Sequence, residues 1–517
     1  MRSVVIRYTL TGSGDEGGES LGGAMSAGSQ LALGPTGAEP PPEPEGWDET
    51  TEAQDRAADP DAPPDVVTRL LCAATHLHMS FADHVNGQLL KVSYNAICPS
   101  WGVDHVALAR HASLSRARRL ARDRKLVRTQ VGILALTLLV FPLSWLGPVT
   151  FLGAVFLGIV VVLGGILVSW GLVFEHYRAA RTDAMALVDG ASPRDSAPPL
   201  APEVEDRLDT LRDGNVVVFS GSTPFIGSGL YLDDWTMTLD LTGTVNPATG
   251  TRRTPRDFDA VELHGELLRN VPLGDLSDVR ARNRLYVSGS HAPNVAGIVP
   301  PPVPRRQRPR TVLSADELDR ILLDPQEGAR VYACFEKPGW RGQIVVSTFV
   351  RAARYENTLF VEGASFVLLP LSARFYDVFQ LPLRKTEELR AVALTAATKA
   401  VPLLIGSTGR KRRSRLGGRE DREALEAIEE LRDRNRDVDF GATNSIRAET
   451  ADVERSKHYA SVDEFMFFLV LRRRVWTCMK EFLADHHVDT SEFDRQLMSI
   501  VDRTGIFKVG DLKNGDG

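Results

Sequence analysis

The chain has 517 residues, a mass of 56.7 kDa and a formal net charge of −6 from 61 basic and 67 acidic residues. That balance gives no case for a general nucleic-acid binder, and a chain that is 43% hydrophobic and 25% charged is globular in composition. Four cysteines (Cys72, Cys98, Cys334, Cys478), none closely spaced, exclude a disulfide scaffold and a cysteine-rich zinc module.

The averages conceal sharp regional contrasts. Residues 1–65 hold three basic and thirteen acidic side chains among many Pro, Gly and Ser. Such a segment buries too little apolar surface to offset its ordering entropy, so it is expected to be disordered. Val4-Val5-Ile6 is too short for the apolar core of a secretory signal. Residues 66–128 reverse the sign, with ten basic and three acidic residues, eight of the basics falling between Arg110 and Arg128. Val67, Leu70, Leu71, Ala74, Leu77, Phe81 and Val85 recur at helical spacing, and Asp104 is placed to cap a basic helix that follows. Cys72 and His76 lie one turn apart, but His78 and His84 project elsewhere, so a packed helix is expected there and no metal site.

From Val131 to Phe174 there are 44 residues without Asp, Glu, Lys, Arg or His. A helix rising ~1.5 Å per residue needs ~20 residues to cross a ~30 Å hydrocarbon core, so this run is long enough to cross twice. Gly147-Pro148 is its natural break, which predicts a transmembrane hairpin with spans at about 131–146 and 149–174. Arginines crowd before the first span and Arg178 and Arg181 follow the second, while the turn has none. The bias of basic residues therefore predicts a two-span protein of the cell membrane with both termini in the cytoplasm. Gly147, Ala154, Gly158, Gly165 and Ser169 share one helix face, a packing seam for the first span or for a second copy in a homo-oligomer. Neither span carries an ionisable group, which argues for an anchor in the lipid bilayer rather than a pump. The basic helix before it fits two readings equally well: contact with anionic lipid, each cation near the surface contributing about 1 kcal/mol, or a simple topology signal.

Residues 191–202 read as a linker, and 205–505 as a cytoplasmic α+β domain with a largely antiparallel sheet. Asn215–Phe219 is a strand, followed by Ser220-Gly221-Ser222-Thr223-Pro224-Phe225-Ile226-Gly227-Ser228-Gly229. This loop lacks the Lys-Ser/Thr ending of a phosphate loop and does not match Gly-x-Gly-x-x-Gly, so no cofactor is expected. Ser220, Gly221, Gly227, Gly229 and Asp233 mark it as a candidate pocket loop. Asp233 and Asp234 point to opposite faces if extended, and a turn before the strand Trp235–Leu241 is the expected reading. A helix over Ala260–Val271 carries His264, and Val299–Arg310 is a stiff Pro/Arg-rich insertion serving as a spacer.

Beyond it, Ser314 caps a helix, and strands are expected at 330–335, 343–350, 358–361 and 365–369. Thr386 caps a helix whose Leu389, Val392, Ala393, Ala396 and Ala400 form one face. The basic cluster 410–415 precedes a charge-rich helix over 419–436 that reads as a solvated face or mobile excursion; as a contact for the cluster, lipid is favoured over nucleic acid. Ser461-Val462-Asp463-Glu464 reads as a capping box opening a helix with Phe465, Phe468, Leu469, Trp476, Met479 and Leu483 inward. A last helix carries Phe493, Leu497 and Ile500 and stops at Gly505, leaving 506–517 as a flexible tail.

Asn215–Gly229, the paired spans and the arginine-rich approach together resemble uncharacterised two-span membrane proteins of high-GC Gram-positive bacteria. The resemblance runs over most of residues 66–505 and implies a location, with no assigned activity and no catalytic residues to transfer. The expected function is a membrane-anchored binding, scaffold or sensing module. The alternative is a membrane-anchored enzyme, a hydrolase or nucleotide-utilising protein, with a pocket near 220–234.

Overall fold

A computed structural model describes residues 66–91, 94–145, 150–245, 252–299, 308–382, 384–433, 438–453 and 458–504. The acidic segment 1–65, the hairpin turn with Gly147, most of the Pro/Arg-rich insertion and the tail 506–517 lie outside these residues.

The N-terminal helical part begins with α1 (Val66–Leu77), α2 (Met79–Val85) and a π-helical turn, Asn86–Leu90. The 41-residue α3 (His105–Trp145) and the 38-residue α4 (Phe151–Val188) follow, each far longer than the span expected within it. Asp104 caps α3 as its sequence suggests, its Oδ1 accepting from the N–H groups of Val106 and Ala107 at 3.0 Å. Arg118 pairs with Asp183 and Ile133 abuts Gly165, so α3 and α4 lie side by side and antiparallel. Their charged ends pack with α1 and α2 around Leu71, Leu108 and Leu187. The expected linker, residues 191–202, is docked here. Arg194 pairs with Asp104 and with Asp209, the last residue of α5 (Pro202–Asp209), and Pro193 accepts a hydrogen bond from His111.

The second part is built on a six-stranded sheet of β1 (Val216–Phe219), β2 (Leu230–Asp240), β3 (Arg280–Ser288), β4 (Ala329–Gly339), β5 (Ile344–Tyr355) and β6 (Thr358–Leu368). The order is β1-β3-β4-β5-β6-β2, antiparallel throughout except for the β1–β3 pair, so the α+β, largely antiparallel reading holds. Strand β3 has no counterpart in the expectations: Arg280, Arg282 and Arg284 mask its pattern. The runs expected at 358–361 and 365–369 form one strand, because Gly363 continues the ladder opposite Trp235. Asp233 and Asp234 also lie inside a strand, β2, and not in a turn; the register slips between Tyr231 and Asp233.

One face of the sheet is covered by α6 (Ala260–Asn270), α7 (Ala315–Leu323), α10 (His458–Asp485) and α11 (Ser491–Thr504). Met237, Phe335, Val346 and Val361 meet Leu263, Met479 and Phe493 in this core. Helix α10 starts three residues before Ser461, which therefore sits inside the helix and opens nothing; Phe465 is correspondingly exposed. Both sheet edges carry contacts. Ala442 donates to the Val218 carbonyl of β1, and Gln496 on α11 exchanges two bonds with the backbone of Thr238 on β2.

After β6 comes a 3₁₀ segment, Ala373–Gln380, then α8 (Lys385–Asp433), a single 49-residue helix that joins the two expected at 386–400 and 419–436. The short α9 (Ile446–Glu449) leads to α10.

Candidate functional site

Two regions concentrate the residues singled out in the sequence: the loop 220–229 over the second face of the sheet, and the apolar stem of α3 and α4.

The loop is a plug. Phe225 stacks on Phe349 with ring centroids 4.4 Å apart, and Tyr286, Tyr332 and Phe366 surround it at 5.1–5.2 Å. Gly227 and Gly229 adopt φ values of +85° and +88°, and a Cβ on Gly229 would lie 2.1 Å from the Val367 carbonyl oxygen. Only glycine fits there, so these residues hold the chain flat against β6. Ser220 donates to Asp439, and Gly221 faces open space. Asp233 does not join the loop. The register slip sends its side chain to the helix-covered face, where Arg472 on α10 donates to it at 2.8 Å between the rings of Phe468 and Trp476. Burial lifts its carboxyl above the usual range, against the pull of Arg472.

Beside the plug lies a buried ion cluster that the sequence did not reveal. Arg284 donates to Glu336 at 2.6 Å, with Arg282 3.6 Å from the same carboxylate. Burial raises the Glu336 carboxyl, but the two guanidinium groups outweigh it and hold it below its ordinary value. Burial also pushes Cys334 and Cys98 up to about 12, so neither is a ready nucleophile. The cavity between Gly227, Ser228, Arg284 and Glu336 measures about 20 Å³. That is room for about one or two water molecules. Larger hollows occur elsewhere, one of about 200 Å³ near Arg308 and Asn444 and one of about 620 Å³ near Asp257 and Tyr355.

The histidines of the first helices are also absorbed by the fold. His111 donates from Nε2 to the Pro193 carbonyl, so its Nδ1 accepts from His76 Nε2 at 2.9 Å. Burial, then His111 and Arg118, lowers His76 to about 3 and keeps it neutral. Among the described residues no three His, Cys, Asp or Glu side chains converge as a metal site would require.

The stem has the opposite character. Helix α4 over Leu152–Val188 is long and apolar enough to cross a membrane, and only 11% of its most apolar stretch is buried. Leu152, Phe156 and Leu167 on α4 and Leu138 and Leu139 on α3 are each more than 60% exposed. Of the small-residue seam, Ala154, Gly165 and Ser169 are buried, a Cβ on Gly165 would lie 2.2 Å from Ile133, and Gly158 faces open space. Among the described residues, the second helix that meets the same length and composition criterion is Lys385–Arg413 of α8 and not the first expected span. Its Val392, Ala396, Ala400, Leu404 and Ser407 are buried, and α8 packs on both α3 and α4.

Several arginines expected to face lipid turn inward. Arg119 pairs with Asp83, Arg118 with Asp183, Arg110 with Glu205, and Arg122 and Arg410 share Asp123. Arg116, Arg124, Lys125 and Arg128 remain exposed on α3.

No curated protein and no solved structure matches the chain. One family model does, that of the AbeC-like domain, over residues 234–514. The match opens within β2 and takes in β3 to β6, α8 and the last helices, leaving β1, α3 and α4 outside it. It covers more than half of the chain, which therefore belongs to the AbeC-like domain family.

Proposed function

We propose that the protein is an integral membrane protein whose α3–α4 hairpin crosses the cell membrane twice and holds the AbeC-like domain against the cytoplasmic face as a binding, scaffold or sensing module. The carrying observation is the exposure of Leu138, Leu139, Leu152, Phe156 and Leu167 along two antiparallel helices. At ~25 cal/mol per Å² of apolar surface, water is a poor solvent for such a collar and hydrocarbon a good one. Trp170 and Phe174 stack at 5.4 Å near the end of the uncharged run, where aromatic side chains favour the lipid–water boundary. The exposed cations Arg124, Lys125 and Arg128 lie just below it and suit anionic headgroups.

A module is favoured over an enzyme at 220–234 because Phe225 fills the space a substrate would need, and the residual cavity holds water alone. Carbonate extraction and protease protection test the reading. The full chain is expected to stay in the membrane pellet, with both termini cleaved only after the cytoplasmic side is opened. Release by carbonate, or cleavage of either terminus from outside intact cells, overturns it.

A further inference from the structure

Helix α8 belongs neither to the hairpin nor to the sheet. It packs on the stem through Val392, Ala396, Ala400, Leu404 and Ser407, yet Leu394 and Ile405 on its other side are 69% and 68% exposed, with Val401 between them. Positions 394, 401 and 405 are seven and four residues apart and form one stripe. Two apolar faces on one helix need two apolar partners.

The direction of α8 says what the second partner is. Ile133 of α3 abuts Gly165 of α4. Gln130 lies three residues below the first and Trp170 five below the second, so the two stand within about 3 Å of the same height. The Trp170 indole donates to the Ala393 carbonyl at 3.2 Å, and Ser407 bonds Gln130 at 3.0 Å. Ala393 and Ser407 are fourteen residues apart, about 21 Å along the helix. A helix that travels that far while its contacts stay level crosses the stem rather than running along it. The crossing falls where the uncharged run of the stem begins, between Arg128 and Val131 on α3 and before Glu175 on α4. Past the crossing, Arg410 is tied to Asp123 while Lys411, Arg412 and Arg413 are exposed.

We infer that residues 391–413 of α8 form an in-plane strap, lying crosswise on the hairpin at the headgroup level of the cytoplasmic leaflet. Leu394, Val401 and Ile405 enter the acyl boundary, and Lys411, Arg412 and Arg413 meet anionic headgroups. This rests on the hairpin crossing the membrane. An apolar stripe continuous with the lipid-facing collar, ended by free cations, is the pattern of an interfacial helix. Lys399, in mid-helix and exposed, suits the interface and opposes a third span.

The test is depth-dependent quenching on the full chain in vesicles of three parts phosphatidylcholine to one part phosphatidylglycerol. Leu394→Cys and Ile405→Cys each carry an environment-sensitive fluorophore, with Leu138→Cys as the mid-hairpin reference. All three side chains are exposed and the native cysteines are buried, so labelling spares the fold. Positions 394 and 405 are expected to be quenched at least twofold more by a spin label near the headgroup than by one deep in the acyl chains, and position 138 the reverse. Deep quenching at 394 and 405 makes α8 a third span and overturns the strap. Insensitivity there with normal deep quenching at 138 means that water or protein covers the stripe, and also overturns it. Insensitivity at all three positions removes the anchored hairpin itself, and the strap with it.

Discussion

The sheet and the stem treat apolar side chains in opposite ways. In the sheet they are inside: Phe335, Phe349 and Val346 are fully buried, and the ions that share the interior, Arg284 with Glu336 and Asp233 with Arg472, are paired. In the stem the large aliphatic residues are outside, and the small ones, Ala154, Gly165 and Ser169, are inside. Close approach of backbones holds the stem, and exclusion of water holds the sheet. One chain thus carries two opposite packing patterns, with Asp123 of the stem tied to Arg410 of α8.

Substitutions in the sheet are expected to be costly and those on the stem surface nearly silent, when unfolding of the full chain in detergent is followed by denaturant titration. The largest effect is expected from Glu336→Gln, which leaves Arg284 buried without its counter-charge and is expected to cost about 3–5 kcal/mol. Phe225→Ala opens the aromatic plug and is expected to cost about 3 kcal/mol, and a loss under 1 kcal/mol would show that the loop is loosely held. Gly229→Ala forces a side chain onto the Val367 carbonyl at a positive φ, with a cost of about 2 kcal/mol.

A pH titration sharpens the contrast further. His264 accepts from the Ala352 N–H at 3.4 Å and bonds Asn283 at 3.1 Å, and burial holds it at about 4. A histidine depressed in the folded state contributes stability that is intact above its unfolded value near 6.5 and is lost as pH falls toward about 4. His264 is expected to contribute roughly 1 kcal/mol per pH unit of that loss, alongside the depressed His76 and His105, and His264→Gln is expected to lower the slope by that amount. Leu138→Ala, on the stem, is expected to change stability in detergent by less than about 0.5 kcal/mol, since the side chain is mostly exposed. A loss above 2 kcal/mol there would show that the stem surface is a protein interface and dissolve the contrast.

Periodicity made much of this architecture legible. The uncharged run from Val131, the Ser314 helix cap and the strands beginning near 216, 329, 344 and 358 all carry local signals, and each element is present. What stayed hidden depends on partners far along the chain. Strand β3 carries Arg280, Arg282 and Arg284 because Glu336 lies opposite on β4, a pairing that no window of sequence displays. The loop 220–229 reads as a pocket because glycines suggest room, yet here they permit close approach and Phe225 takes the space. Asp233 was separated from that loop by a register slip that one residue decides. In α8 the hydrophobic side was found in the alanines and Val392, while the outer stripe of Leu394 and Ile405 became meaningful only once the first side had a partner.

The contacts at the rims of the sheet also bear on how copies of this protein can meet. Ala442 takes up the Val218 carbonyl on the β1 side, and Gln496 takes up both backbone groups of Thr238 on the β2 side. A neighbouring molecule adding a strand along either rim has to displace these bonds first, which blunts both edges.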